Sequence, residues 1–188
     1  VHAIEAYTSK LRKNAYSDVL ACEALRLLSR HIVTAVEDGH NLEARQAMLF
    51  GAMLAGQAFA NAPVAAVHAL AYPLGGHYHI SHGLSNSLVL PHVLHFNLPV
   101  AYPLYAQLAN VINPYARAKP MTLAEYFIDA LQTVIHAVQL PVRLRQVNVP
   151  ELDLPMLAKD AMLQQRLLIN NPRELTEADA LAIYQAAY

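Results

Sequence analysis

Apolar residues recur at intervals of three and four along almost the whole chain, a spacing that places them on one face of successive α-helices. Short runs of β-branched residues alternating with polar ones, which are typical of strands, are absent. A chain of 188 residues is long enough to bury one sizeable core. We therefore predict an all-α fold, with residues 1–188 forming a single multi-helix domain.

Capping residues and prolines divide this pattern into separate predicted helices. These cover approximately residues 2–7, 17–37, 41–61, 63–72, 82–91, 98–112, 122–138, 154–169 and 176 onward. The predicted N-caps are Ser17, Asn41, Thr122 and Thr176. Pro91 is expected to kink or end its helix. The sequence Pro73-Leu74-Gly75-Gly76 predicts a reversal of the chain.

Two predictions concern how the second and third of these helices pack. The buried stripe of the 17–37 helix is predicted to contain Val19, Cys22, Leu25, Leu28 and Ile32. The next helix carries small residues at Gly51, Ala52, Ala55 and Gly56. Small side chains let helices approach closely, so we predict tight packing at this point.

Composition restricts the classes of partner. Hydrophobic residues make up 55% of the chain and charged residues only 14%, which is apolar compared with typical soluble proteins. No apolar run reaches the roughly 18 residues of a membrane span, and a net charge of −1 without a basic stripe argues against nucleic acid. We therefore expect further protein to cover part of the surface, as in a homo-oligomer such as a dimer.

The lone Cys22 and the lack of a secretory leader favour a cytoplasmic protein.

Histidines are concentrated in one stretch, which contains six of the ten in residues 65–97. His68 and His82 lie fourteen residues apart on either side of the predicted reversal, so they can face one another in space. Metal sites are often assembled from residues brought together in this way. Spacing alone nevertheless favours packed or solvated histidines over metal ligands.

Several motifs resemble one enzyme family in their order along the chain. These are His2-Ala3-Ile4-Glu5-Ala6-Tyr7, His68-x3-Tyr72-Pro73-Leu74-Gly75, His82-Gly83-x2-Asn86, Leu90-Pro91-His92-Val93 and Asn171-Pro172-Arg173 followed by Thr176. Together they resemble the signature of the iron-containing (group III) alcohol dehydrogenases, specifically the helical C-terminal domain with the dehydroquinate synthase-like fold. The resemblance extends from residue 2 to about residue 180.

The resemblance implies a site and a metal. It implies that His2, His68 and His82 bind Fe(II) or Zn(II), with no catalytic residue beyond these ligands. It also implies an Asp ligand four residues before His2, a position that would precede Val1. His77 and His79 are candidates for the substrate pocket, together with Tyr72. Many family members have a histidine where this chain has Tyr72, which weakens the transfer of a proton-relay role to that position.

The chain itself has no glycine-rich phosphate loop and no strand–helix–strand pattern for a dinucleotide. In the resembled family an N-terminal nucleotide-binding domain supplies that site. The resemblance therefore implies the C-terminal part of an enzyme that converts an alcohol to an aldehyde or ketone, or the reverse, with NAD(P). We expect the 188-residue chain alone to be inactive.

Two other interpretations remain open. One is a metal-free reductase similar to the maleylacetate reductases, in which histidines at these positions contact substrate. The other is a non-catalytic helical module that dimerises through its apolar surface. Metal content distinguishes the dehydrogenase from the first, and hydride transfer distinguishes it from the second.

Overall fold

A computed structural model describes all 188 residues. It contains nine α-helices, two short 3-10 helices and no strand, which confirms the predicted all-α fold. The α-helices are α1 (His2–Thr8), α2 (Ala15–Glu37), α3 (Leu42–Asn61), α4 (Ala66–Tyr78), α5 (His82–Ile112), α6 (Pro120–Ala137), α7 (Leu154–Ala161), α8 (Gln165–Leu168) and α9 (Glu177–Ala187). The 3-10 helices are Leu144–Val147 and Glu151–Asp153.

Two helix pairs make the most extensive contacts: α2 packs along α3, and α5 packs along α6. The short helix α1 contacts α2, α3 and α5, whereas α4 lies against α5 and α7. Their buried faces form one continuous apolar cluster of 44 residues. The beginnings of α1, α4 and α5 are brought together by this packing, and they carry the histidines discussed below.

Helix α2 differs from the prediction at its start and on its buried face. Its N-cap is Asn14, whose side chain accepts a hydrogen bond from the Ser17 backbone N–H, while the Ser17 hydroxyl accepts one from the Asn14 N–H. Ser17 is thus the third helical residue, and its prediction as the N-cap is wrong. Of the predicted stripe only Leu25 is fully buried, and Val19 is 69% exposed. Buried alanines make the contact instead, because small side chains allow α2 to lie close to its neighbours.

The predicted close packing at the small residues of α3 is confirmed at Gly51 and is wrong at Gly56, where an added Cβ atom would meet nothing within 4 Å, and at Ala52, which is exposed. A Cβ atom added at Gly51 would lie 2.9 Å from Leu28 Cγ of α2 and 3.3 Å from Leu27 Cβ. The predicted cap of this helix is also confirmed, since Asn41 Oδ1 accepts a hydrogen bond from the Ala44 N–H.

The chain does not reverse at Pro73–Gly76, and that prediction is wrong. Helix α4 continues through Pro73 to Tyr78, and the turn follows at residues 79–81, where His79 adopts the left-handed conformation (φ 54°). The Tyr78 hydroxyl donates a 2.6 Å hydrogen bond to the Asp153 carboxylate. Such tertiary contacts keep the end of α4 helical despite the local helix breakers.

Proline also fails to divide α5, which runs unbroken for 31 residues with Pro91, Pro99 and Pro103 inside it. The predicted separate helices at 82–91 and 98–112 are therefore one. Packing against α4, α6 and α9 holds this helix together where backbone hydrogen bonds are lost.

The remaining boundaries include two corrections and one confirmation. Helix α6 begins at Pro120 after Lys119, so the predicted cap at Thr122 is wrong; proline is favoured at the first helical position. The predicted 154–169 helix is interrupted at residues 162–164, between α7 and α8. Thr176 caps α9 as predicted, with its hydroxyl accepting a hydrogen bond from the Asp179 N–H.

No single helix has both the length and the apolarity needed to span a bilayer. Helices α3 and α4 reach that length and apolarity only when they are taken together, and the chain bends by 108° between them.

Candidate metal centre

Three histidines converge from three helix beginnings. His2 is the first residue of α1, His82 is the first residue of α5, and His68 lies in the first turn of α4. One ring nitrogen from each lies within 4.8 Å of the others. Residues separated by up to 80 positions in sequence thus present three imidazoles to one point.

The separations suit a single divalent ion. The Nε2 atoms of His2 and His68 are 3.1 Å apart. Two nitrogens that each lie about 2.1 Å from a tetrahedral metal are about 3.4 Å from one another. The donor set, three imidazoles, is one that iron and zinc both accept. These residues therefore fit a metal of this kind after only a small adjustment.

Glu5 fixes the orientation of the most buried of the three rings. The His68 Nδ1–H donates a 2.6 Å hydrogen bond to Glu5 Oε2, and both side chains are almost completely buried. With the proton on Nδ1, the lone pair of Nε2 points toward His2. A carboxylate in this position also makes the imidazole a stronger donor to a metal.

The same carboxylate caps α4. Glu5 Oε1 accepts a 2.7 Å hydrogen bond from the Val67 backbone N–H at the start of α4. The helix has no side-chain cap from its own N-cap residue. The positive end of the helix dipole stabilises the buried charge, so one side chain positions both the helix and the ring.

Glu5 was not among the residues predicted for the site. A signal was present: Glu5 lies three residues after His2, on the same face of one helix.

The other two rings are held in a setting that favours their neutral forms. Burial, followed by the nearby His68, lowers the pKa of His2 to about 4, and the same two causes lower the pKa of His82. The His2 ring stacks on Phe59 with centroids 4.5 Å apart. Neutral imidazoles at pH 7 keep the lone pairs that a cation requires.

The residues predicted for a substrate pocket are placed differently from one another. Tyr72 lies beside the three histidines, with its ring centroid 6.5 Å from that of His68 and 6.3 Å from that of His82. His77 and His79 lie at the other end of α4. Measured along the helix axis, His77 is roughly 14 Å from His68. His77 is exposed and pairs with Asp160 at 2.5 Å. Tyr72 is thus the one of the three that the fold brings to the cluster.

The sequence profile described as "Fe-containing alcohol dehydrogenase family, C-terminal" matches residues 1–188. The chain belongs to the iron-containing alcohol dehydrogenase family. Within this family it is 42% identical over its full length to the long-chain-alcohol dehydrogenase 1 of Geobacillus thermodenitrificans, of which it covers 47%. It is 37% identical to the 1,3-propanediol dehydrogenase of Klebsiella pneumoniae, of which it covers 48%. It therefore spans about half the length of these relatives.

Solved structures of iron-containing alcohol dehydrogenases have the same fold in one of their halves. A crystal structure of 1,3-propanediol oxidoreductase matches with a TM-score of 0.94 and 36% identity, over 100% of this chain and 49% of that one. An alcohol dehydrogenase from Oenococcus oeni matches with a TM-score of 0.93 and 33% identity, covering 100% and 49% of the two chains.

Proposed function

We propose that this chain is the metal-binding half of a metal- and NAD(P)-dependent alcohol dehydrogenase, with His2, His68 and His82 as metal ligands. The observation that carries the proposal is the convergence of three imidazole nitrogens within 4.8 Å. Membership of the iron-containing family supports Fe(II), and the donor set is equally compatible with Zn(II). A bound divalent metal supplies Lewis-acid polarisation of the alcohol or carbonyl oxygen of the substrate.

The chain's own residues prepare the site for that ion. Glu5 directs the lone pair of His68 toward the other two rings, because its carboxylate accepts the Nδ1 proton. Phe59 stacks on the His2 ring and limits its rotation. Few side chains therefore have to be ordered when the metal binds, which favours high affinity.

Tyr72 is proposed to contact the substrate. Its ring lies about as close to His82 as to His68, and its side chain is half-buried at the edge of the cluster. A phenol in this place can donate a hydrogen bond to a substrate oxygen. A general acid or base role for Tyr72 is not part of the proposal.

The hydride acceptor is proposed to be NAD(P), bound by an N-terminal domain that belongs with this chain in the whole enzyme. Two facts support this: the relatives are about twice as long, and one of them, 33% identical, is an NAD-dependent methanol dehydrogenase from Bacillus methanolicus. The 188-residue chain alone is then expected to be inactive on small alcohols and aldehydes.

An exposed apolar face on α3 supports further protein contacts. Leu42 and Leu49 are 78% and 76% exposed, and Phe50 and Met53 lie near them on the same side of the helix. Clustered exposed apolar side chains are typical of surfaces that other protein covers. We propose that a second copy or the N-terminal domain covers this face in the whole enzyme.

The proposed function is tested by alcohol-dependent reduction of NAD⁺ and NADP⁺ with the protein that contains both halves. Turnover should be lost when a chelator removes the metal and should return when Fe(II) or Zn(II) is added. The H68A variant should stay inactive after metal is added, while the matched variant H31A should behave like the wild type. Activity that survives complete removal of metal would contradict the proposal and favour a metal-free reductase.

A further inference from the structure

A polar pocket lies between α5, α6 and the segment that follows α6. None of the three clustered histidines lines it. Its volume is about 190 Å³, and nine residues line it. Polar side chains among them come from all three walls: Ser87 and His92 from α5, Gln132 and His136 from α6, and Arg143 from the following segment. No Asp or Glu is among the nine.

Arg143 gives this pocket a permanent positive charge. One of its guanidinium N–H groups donates to the Ala186 carbonyl at 3.0 Å, and no carboxylate pairs with it. The backbone around it is fixed, because Gln146 Oε1 accepts hydrogen bonds from the N–H groups of Val142 and Arg143, both at 2.8 Å. The remaining guanidinium N–H groups are free for an acceptor that the protein does not provide.

His92 lines the same pocket and lies close enough to Arg143 to feel its charge. Burial, then Arg143, then His95 lower the pKa of His92 to about 4. Asp179 of α9 lines a neighbouring pocket with His92. Asp179 is already engaged by Thr176, whose N–H and hydroxyl both donate to its carboxylate.

Two further groups can donate hydrogen bonds to an anion. The Ser87 hydroxyl oxygen is buried and makes no hydrogen bond within the protein. The Gln132 amide lines the pocket and offers two N–H groups. Together with the guanidinium and two imidazoles, these groups give the pocket five side chains that can donate hydrogen bonds and no carboxylate, which is the usual composition of an oxyanion site.

We propose that this pocket binds a small oxyanion of the phosphate type, with Arg143 supplying the charge and His92, His136, Gln132 and Ser87 supplying hydrogen bonds. The volume is sufficient for a free phosphate or sulfate ion. At neutral pH acetate carries a single negative charge on two oxygens, whereas phosphate carries more negative charge on four oxygens, so phosphate is expected to bind more tightly than acetate. The proposal is independent of the metal, because none of the three clustered histidines lines the pocket.

The test is a titration of the 188-residue chain with sodium phosphate, followed by the NMR signals of its histidine rings at constant ionic strength with sodium chloride. Saturable shifts of His92 and His136 are expected. R143Q should weaken binding at least tenfold. R145Q is the matched control, because Arg145 lies two residues further on, is exposed and does not line the pocket.

A bound anion should also raise the pKa of His92 above about 4, because it stabilises the imidazolium that Arg143 and His95 oppose. This second measurement uses the wild type alone, so the test remains valid even if R143Q unfolds. Weaker binding of acetate supports a phosphate-type site, whereas equal or tighter binding of acetate reassigns the ligand to a carboxylate. Shifts that do not saturate, that chloride reproduces, or that R145Q weakens as much as R143Q would overturn the proposal.

Discussion

The Glu5 carboxylate accepts the Nδ1 proton of His68 at 2.6 Å, and its second oxygen accepts the Val67 N–H at 2.7 Å. This one side chain therefore connects α1 to the start of α4 and orients a ring of the proposed metal site. The contact joins residues 63 positions apart, so it forms only when the two helices pack.

Replacing Glu5 with glutamine should weaken metal binding 10- to 100-fold, the usual effect of removing a carboxylate behind a ligating histidine. A glutamine side chain has only one oxygen, whereas the His68 Nδ1–H and the Val67 N–H each need an acceptor. One buried donor is left without a partner, so the free energy of unfolding should also fall by about 1–3 kcal/mol. Competition with a chromophoric chelator measures the affinity, and urea unfolding measures the stability. E125Q, at an exposed site in the interior of α6, is the control and should change neither quantity.

Replacing Gly51 or Gly56 of α3 with alanine should change the stability of the protein in opposite directions. In G51A the new methyl group would meet Leu28 Cγ at 2.9 Å and the less movable Leu27 Cβ at 3.3 Å, so we expect a net destabilisation of about 1 kcal/mol. In G56A nothing lies within 4 Å, and the better helix propensity should stabilise the protein by about 1 kcal/mol. Thermal and urea unfolding of both variants test this. Equal effects of the two would contradict the close packing of α2 on α3.

Acid should destabilise the fold through His92. Its pKa is about 4 in the folded protein and 6.5 when unfolded, so the unfolded state binds the proton more readily between these values. The contribution of His92 is constant above pH 6.5 and is lost progressively as the pH falls toward 4. At pH 5 the loss should reach up to about 2 kcal/mol.

The variant H92Q isolates this effect, because glutamine does not titrate. The difference between the free energies of unfolding at pH 7 and pH 5 should be smaller by about 1–2 kcal/mol in H92Q than in the wild type. H31Q, on the half-exposed part of α2, should keep the wild-type difference. If H92Q and the wild type lose the same stability between the two pH values, His92 does not have the lowered pKa described here.

The sequence predicted the fold class well because the period of the apolar residues depends on local geometry alone. The helix ends at Asn41 and Thr176 were predicted for the same reason, since a cap bonds to residues three positions away. At the start of α2 the predicted cap, Ser17, is wrong, because Asn14 is the N-cap and Ser17 bonds back to it from the third helical position.

The wrong predictions share one cause, which is tertiary contact. Pro73 and Pro91 are helix breakers in isolation, yet both lie inside helices that pack on several sides. The convergence of His2, His68 and His82 followed from the family resemblance, because spacing alone did not distinguish them from other histidines. Glu5 was missed because a glutamate on a helix is normally solvated. Its burial depends on where the start of α4 lies.

The most direct test of the metal site is the metal content of the 188-residue chain, measured by elemental mass spectrometry after purification without chelator and reconstitution with Fe(II) or Zn(II). We expect close to one metal ion per chain in the wild type and in the control H31A/H40A, and a large loss in H68A/H82A. The result that would contradict this expectation is a metal content that is the same in H68A/H82A as in the wild type, whether both are loaded or both are empty.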